Sequence, residues 1–200
     1  MTQQSLDDVP ADRDRPYLGG PDPAVEFGRL FDDHALPLHR YLARRVGADA
    51  AHDLVSETFL VALNRRHTYD PRRGAVRSWL YGIATNLLRR QVREEVRGLR
   101  AIARSAGRTP DHTTSHDSRV ADRVDAAAMA ARLAGAVAQL SEGDRDVLLL
   151  TCWAGLSTTE VADALGIPAG TVRSRLHRVR KWLRANAPHH TEGREEADDA

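Results

Sequence analysis

Between Pro168 and Arg184 the chain carries Arg173, Arg175, Arg178, Arg180, Lys181 and Arg184 and no acidic residue, a net charge of +6. Guanidinium groups form paired hydrogen bonds with guanine edges and with phosphates, so the chemistry on offer is polyanion binding rather than bond making. Val172, Leu176, Val179 and Leu183 recur among these cations at helical spacing. They anchor one side of a helix and leave Thr171, Arg173, Ser174, Arg175, His177, Arg178 and Lys181 on or near the other. Thr171 and the start of that helix suit a phosphate, because the first backbone N–H groups of a helix lack internal partners. His177 serves base contact and packing beside Trp182 equally well.

A basic stretch alone is ordinarily a solvated helix face. Here the preceding residues argue for more. Ala162 is small enough for two helices to meet, Gly166 four residues later permits a left-handed turn, and Val172 six further on points back into the core. That is the spacing of a helix-turn-helix whose second helix enters a major groove. Ser157, Thr158, Thr159 and Glu160 fit a capping box at the start of the first helix, and Ser141 is the expected N-cap of the helix before it.

A second cationic block lies upstream: residues 71–108 carry a net charge of +8, whereas residues 1–70, 109–167 and 185–200 are each acidic and the whole chain is only +1. Two basic blocks in an otherwise acidic chain suggest one polyanion touched twice. Lys181 is the single lysine, which fits an arginine-rich codon usage.

The elements that must position these groups read as all-α, in two small helical domains joined by a flexible linker. Residues 1–23 hold four prolines and no periodicity and are expected to be a disordered arm. Val25, Phe27, Leu30, Phe31, Leu38, Tyr41, Leu42 and Val46 mark a helix over 25–46, with Pro37 expected to kink or break it. A second helix over 49–67 places Leu54, Val55, Phe59, Leu60 and Leu63 inward. A third over 76–97 buries Trp79, Leu80, Ile83, Leu87 and Leu88 and exposes Arg89, Arg90, Arg93 and Arg97. The first domain is therefore 24–97, the linker 98–119, the second domain 120–186, and 187–200 an acidic tail. Helices are expected at 120–139, 142–153, 158–165 and 169–185.

The stretch AAHDLVSETFLVALNRR, a Pro- and Gly-bearing loop, and RSWLYGIATNLLRRQVR resembles region 2 of bacterial sigma factors. LSEGDRDVLLLTCWAGLSTTEVADALGIPAGTVRSRLHRVRKWLR resembles their region 4. The two occur in the family's order, without room for a folded region 3, which is similar to the extracytoplasmic-function group. The resemblance implies a non-enzymatic initiation factor that binds core RNA polymerase, region 2 on the beta-prime clamp helices and region 4 on the beta flap. It also implies recognition of promoter DNA at the minus-ten and minus-thirty-five elements, and restraint by an anti-sigma factor. On matching positions, Asp53, Glu57 and Phe59 would face the clamp, with Arg65 and Arg66 nearby. The loop from Tyr69 to Ser78 would cradle a flipped minus-ten base beside Trp79, Ile83, Ala84 and Asn86, with Arg89 and Arg90 on the same helix. Asn86 is favoured because its amide can read a base edge, whereas an apolar core would leave it unsatisfied.

Opening about 10 base-pair steps costs ~14 kcal/mol at ~1.4 kcal/mol each, and capturing one or two bases returns only about 1–3 kcal/mol per base. Such a chain needs its polymerase. A stand-alone activator with a helical sensing domain explains the C-terminal reader but not the second basic block. A metalloenzyme drawing on Asp111, His112, His116, Asp117, His189 and His190 is disfavoured, because those residues fall in the expected linker and tail and lack helical spacing. No metal, cofactor or catalytic residue is expected. The N-terminus lacks a basic segment followed by an apolar one, no apolar run approaches a membrane span, and a cytoplasmic location is expected. Cys152, the single cysteine, sits beside Leu150 and Trp153 and is expected to be buried.

Overall fold

A computed structural model of the chain describes residues 14–105 and 133–186, with side chains through Arg97 in the first stretch. Residues 1–13, the remainder of the expected linker, the tail, and the six His and Asp residues weighed as metal ligands lie outside the described residues. The rest of the expected disordered arm is packed instead: Leu18 is buried in the core, Asp14 carbonyl accepts from the Val76 N–H, and Arg15 donates to Pro71 carbonyl.

Helix α1, Pro23–Val46, begins at Asp22, whose side chain accepts a hydrogen bond from the Val25 N–H, and Pro23 takes the first-turn position where its missing N–H costs nothing. It runs through Pro37 without a break. Gly47, at φ 86°, ends it, and α2, Ala48–Asn64, starts one residue later. The two form a tight helical hairpin: the ring pairs His39–His52 and, farther from the turn, Phe31–Phe59 straddle Gly47. A single 3₁₀ turn, Arg66–Thr68, leads to the loop before α3, Val76–Ser105. Helix α3 therefore continues into the expected linker. Leu38, Tyr41, Leu42, Leu54, Leu80, Ala84 and Leu88 form the core of this unit. Tyr41 and Tyr81 meet edge to face with centroids 5.3 Å apart, and burial pushes the Tyr41 hydroxyl above its ordinary pKa, partly countered by Arg45.

In the second unit, helical residues 133–139 precede α4, Glu142–Cys152, α5, Thr158–Leu165, and α6, Ala169–Asn186. Ser141 caps α4 by accepting from Asp144 N–H, and at α5 both halves of the Ser157–Glu160 capping box are present. Val147, Leu150, Leu156, Val161, Val172 and Val179 fill the interior.

Three expectations about burial are corrected. Cys152 is exposed, because it stands five residues after fully buried Val147, about 140° round the helix. Leu60, read as a core residue, is 59% exposed, and Val25 and Phe31 are about half exposed. The two units also share one continuous apolar core. Among the described residues, no helix is long and apolar enough to cross a membrane.

Candidate nucleic-acid and polymerase interfaces

The turn between α5 and α6 explains how the basic helix is held. Gly166, at φ 63° and ψ 35°, adopts the left-handed conformation, its N–H bonds Asp163 carbonyl, and the Ile167 N–H reaches back to Ala162 carbonyl at 3.0 Å. This is the paired closure that ends a helix and sends the chain off at an angle. Pro168 then prevents α5 from resuming, and its carbonyl accepts from Thr171 and Val172 at the start of α6. Val172, Leu176 and Val179 are buried, as their spacing predicts, with Leu183 half-buried.

On the opposite face Arg173, Ser174, His177 and Lys181 are exposed, with Thr171 half-buried. The Ser174 hydroxyl donates to Thr171 carbonyl. Arg178 is exposed too, but its guanidinium grips Asp144 of α4 through two hydrogen bonds, 3.1 Å to Oδ2 and 2.6 Å to Oδ1. Arg175 is half-buried and lies along α4 so closely that a side chain on Gly143 would collide with it. These two arginines thus tie the helix to its support and are less free for DNA than their sequence positions suggest.

The Arg178 hydrogen bonds hold the Asp144 carboxyl below its ordinary value of 3.8, against the opposing effect of burial. A carboxylate with a depressed folded-state pKa stabilises above its ordinary value, and that stability is lost as pH falls through the lowered one. The thermal stability of an Asp144→Asn variant should therefore lie below that of the parent at pH 6, and the gap should close progressively below about pH 4. A gap that persists unchanged at pH 2 would refute the ion pair's contribution.

The loop preceding α3 is held by its own backbone. Asp70 accepts from the Arg72 and Arg73 N–H groups through its side chain and carbonyl, and the Tyr69 hydroxyl donates to Gly74 carbonyl at 3.1 Å. Tyr69 and Trp79 are both half-buried and stack at a 37° tilt with centroids 5.3 Å apart. They wall one side of a cleft of about 530 Å³, which Asp163, Gly166, Ile167 and Pro168 close from the other side. Ser78 is buried at its base with no hydrogen-bond partner for its hydroxyl.

Farther along α3 the expected minus-ten residues separate. Asn86 and Arg90 are exposed, Ile83 is half-buried, and Ala84 is fully buried, so in this arrangement Ala84 is packing rather than surface. Arg90 pairs with Glu94 one turn on. Arg89, expected in the exposed stripe, is turned toward α4, with Nε 2.6 Å from Asp146 Oδ2 and 3.2 Å from Glu142 Oε1.

On α2, Asp53 and Glu57 are exposed one turn apart. Phe59 is 9% exposed and packs on Phe31, so it supports that neighbour rather than presenting its own ring. The exposed apolar group beside the two acids is Leu60. Its signal was in the spacing, since a residue three after Glu57 shares its helix face.

The family description Sigma-70 region 2 matches residues 30–98, and Sigma-70, region 4 matches residues 130–183. The ECF RNA polymerase sigma factor SigL of Mycobacterium tuberculosis H37Rv is 35% identical over 156 residues, 78% of this chain and 85% of that protein. The chain belongs to the extracytoplasmic-function sigma factors of the sigma-70 family. The sigma factor CnrH of Cupriavidus metallidurans is 31% identical over 168 residues, 80% of this chain and 85% of its own. Its structure in complex with the cytosolic domain of CnrY aligns with a TM-score of 0.54 at 29% identity, over 80% of this chain and 86% of that one. RpoE of Bartonella quintana, solved with the anti-sigma factor NepR, shares the fold with a TM-score of 0.57 at 22% identity, over 80% of this chain and 95% of that one.

As a sigma factor the chain directs promoter-specific transcription initiation with core RNA polymerase and is not an enzyme. The stand-alone activator reading is thereby set aside.

Proposed function

We propose that α6 reads the minus-thirty-five element through Arg173, Ser174, His177 and Lys181, with Thr171 and the helix start on phosphate and Arg175 and Arg178 bracing the helix from behind. The minus-ten element is engaged by Tyr69, Trp79, Ile83 and Asn86, with Arg89 and Arg90 on the flanking backbone. Asp53, Glu57 and Leu60 dock on the beta-prime clamp helices, and the second unit docks on the beta flap. The protein works in the cytoplasm, where its polymerase and template are. An anti-sigma partner is proposed from the likeness to CnrH, whose structure holds a fragment of CnrY.

The observation that carries the DNA assignment is the division of α6 into an anchored apolar face and an exposed cationic one. A sigma factor must also survive purification with its polymerase. Mixed with core RNA polymerase, the full chain should co-elute as a stable complex on size exclusion. That complex should start transcripts at discrete sites when the products are sequenced, and free chain eluting beside unoccupied core would defeat the proposal.

A further inference from the structure

We propose that His39 and His52 form a binding site for a divalent transition-metal cation of the zinc, nickel and copper class, with Ala48 carbonyl as third ligand, and that the bound cation fastens α1 to α2. The site is independent of the docking and DNA-reading roles proposed above.

The hairpin turn creates it. His39 stands two turns before the end of α1 and His52 just over one turn into α2, 13 residues apart in sequence, and Gly47 at φ 86° folds one helix back on the other. The rings meet edge to face with centroids 4.3 Å apart. His39 Nε2 lies 3.1 Å from His52 Nδ1, and the Ala48 carbonyl oxygen lies 3.4 Å from the first and 3.0 Å from the second. In the tautomers that carry their protons on His39 Nδ1 and His52 Nε2, both inner nitrogens present lone pairs. Three donors from two helices thus converge on one point.

The size of that triangle decides what fills it. Ligands ~2.1 Å from one cation stand ~3.0 Å apart at a right angle and ~3.4 Å apart at the tetrahedral angle, the interval into which all three edges fall. A cation ~1 Å above the plane of the three donors is ~2.1 Å from each of them. A ring proton shared between the two nitrogens is the competing explanation of their contact, and it predicts no metal binding.

The surroundings favour a cation. His39 is half-buried and His52 exposed, so ion and water reach the point from solvent. One turn to either side of His39 stand Ala35, Leu36, Leu42 and Ala43, none of them charged, and Asp49 shares the face of His52. Two imidazoles select zinc, nickel or copper over magnesium and calcium, which prefer oxygen ligands. No cluster of three or more His, Cys, Asp or Glu side chains suited to a metal occurs among the described residues. The third ligand here is backbone, and water completes the shell. Spacing along the sequence hides the pair, because its members lie on two helices rather than one turn apart on the same one.

Calorimetric titration of Zn²⁺ into the untagged full chain tests the site against His39→Ala and His52→Ala. The parent should bind one equivalent. Either variant should bind at least ~10-fold more weakly, the smallest loss seen when even an outer partner of a ligand is removed. Zn²⁺ at about 100 times its dissociation constant should raise the parent's melting temperature by ~5–10 °C, and Mg²⁺ at the same concentration should not. Cu²⁺ bound to the parent should show two coupled imidazole nitrogens in pulsed paramagnetic resonance, and bound to either variant one at most. Because the chain has nine histidines, a His189→Ala/His190→Ala double variant serves as control and should bind as the parent does. A parent that binds no Zn²⁺, a single variant that binds as tightly as the parent, or loss of binding in the double variant would overturn the site. Should a single variant lose helix content by circular dichroism, glutamine replaces alanine at that position under the same criteria.

Discussion

Replacing Arg173 with alanine should weaken promoter recognition by about 5- to 150-fold, the range set by ~1–3 kcal/mol for a well-placed arginine at a guanine, while binding to core polymerase stays unchanged. The structure singles out Arg173 because it is exposed near the start of α6 and joins no ion pair among the described residues. Arg178, equally prominent in sequence, already spends two donors on Asp144. The two substitutions should therefore separate. Arg173→Ala should lower affinity for the correct minus-thirty-five sequence with little change in melting temperature, whereas Arg178→Ala should lower the melting temperature as well, by leaving Asp144 without its partner. Holoenzyme binding to promoters mutated base by base decides the matter. The loss with Arg173→Ala should vanish at the base pair it reads. A loss equal at every sequence would make Arg173 a phosphate contact. A loss of core binding would remove α6 from the DNA altogether.

This distinction marks how far the residues alone could be read. Local rules located the reader: the Ser157 capping box, the left-handed Gly166 and the buried run from Val172 to Val179 all depend on neighbours within a few positions. Periodicity also separates an inward side of a helix from an outward one. It does not say whether an outward residue meets water or another helix. Arg89, Arg90, Arg93 and Arg97 look alike as a basic stripe, yet Arg89 crosses to Asp146, 57 residues away in sequence. Asp146 itself carries no mark of burial in the sequence, because its cationic partners come from α1 and α3. Ala84 was drawn to the surface by resemblance, although its fully buried position follows from the packing of α3. Leu60 fails for the opposite reason. A leucine is read as core by type, and only its shared face with Asp53 and Glu57 shows that it stands where a partner would cover it.

That shared face leads to the second large effect. Asp53→Arg should reduce affinity for core RNA polymerase on the order of 100-fold, because placing like charges across an interface costs several kcal/mol. The reversal presumes that the clamp helices present cations to this acidic face. Since Asp53 is exposed and makes no ion pair among the described residues, the folded chain itself should be little changed. Leu60→Ala provides an independent arm. Its side chain is largely solvated in the free protein, so its removal should cost little folding stability and should show instead as faster dissociation from core. The two effects should respond differently to salt: the Asp53→Arg penalty should shrink as ionic strength rises and charges are screened, whereas the Leu60→Ala penalty should not. Titration of labelled chain into core polymerase at low and high salt measures both. If Asp53→Arg bound as tightly as the parent at low salt, α2 would not be the clamp-facing helix. The exposed Phe31 on α1 would then be the next apolar group to test.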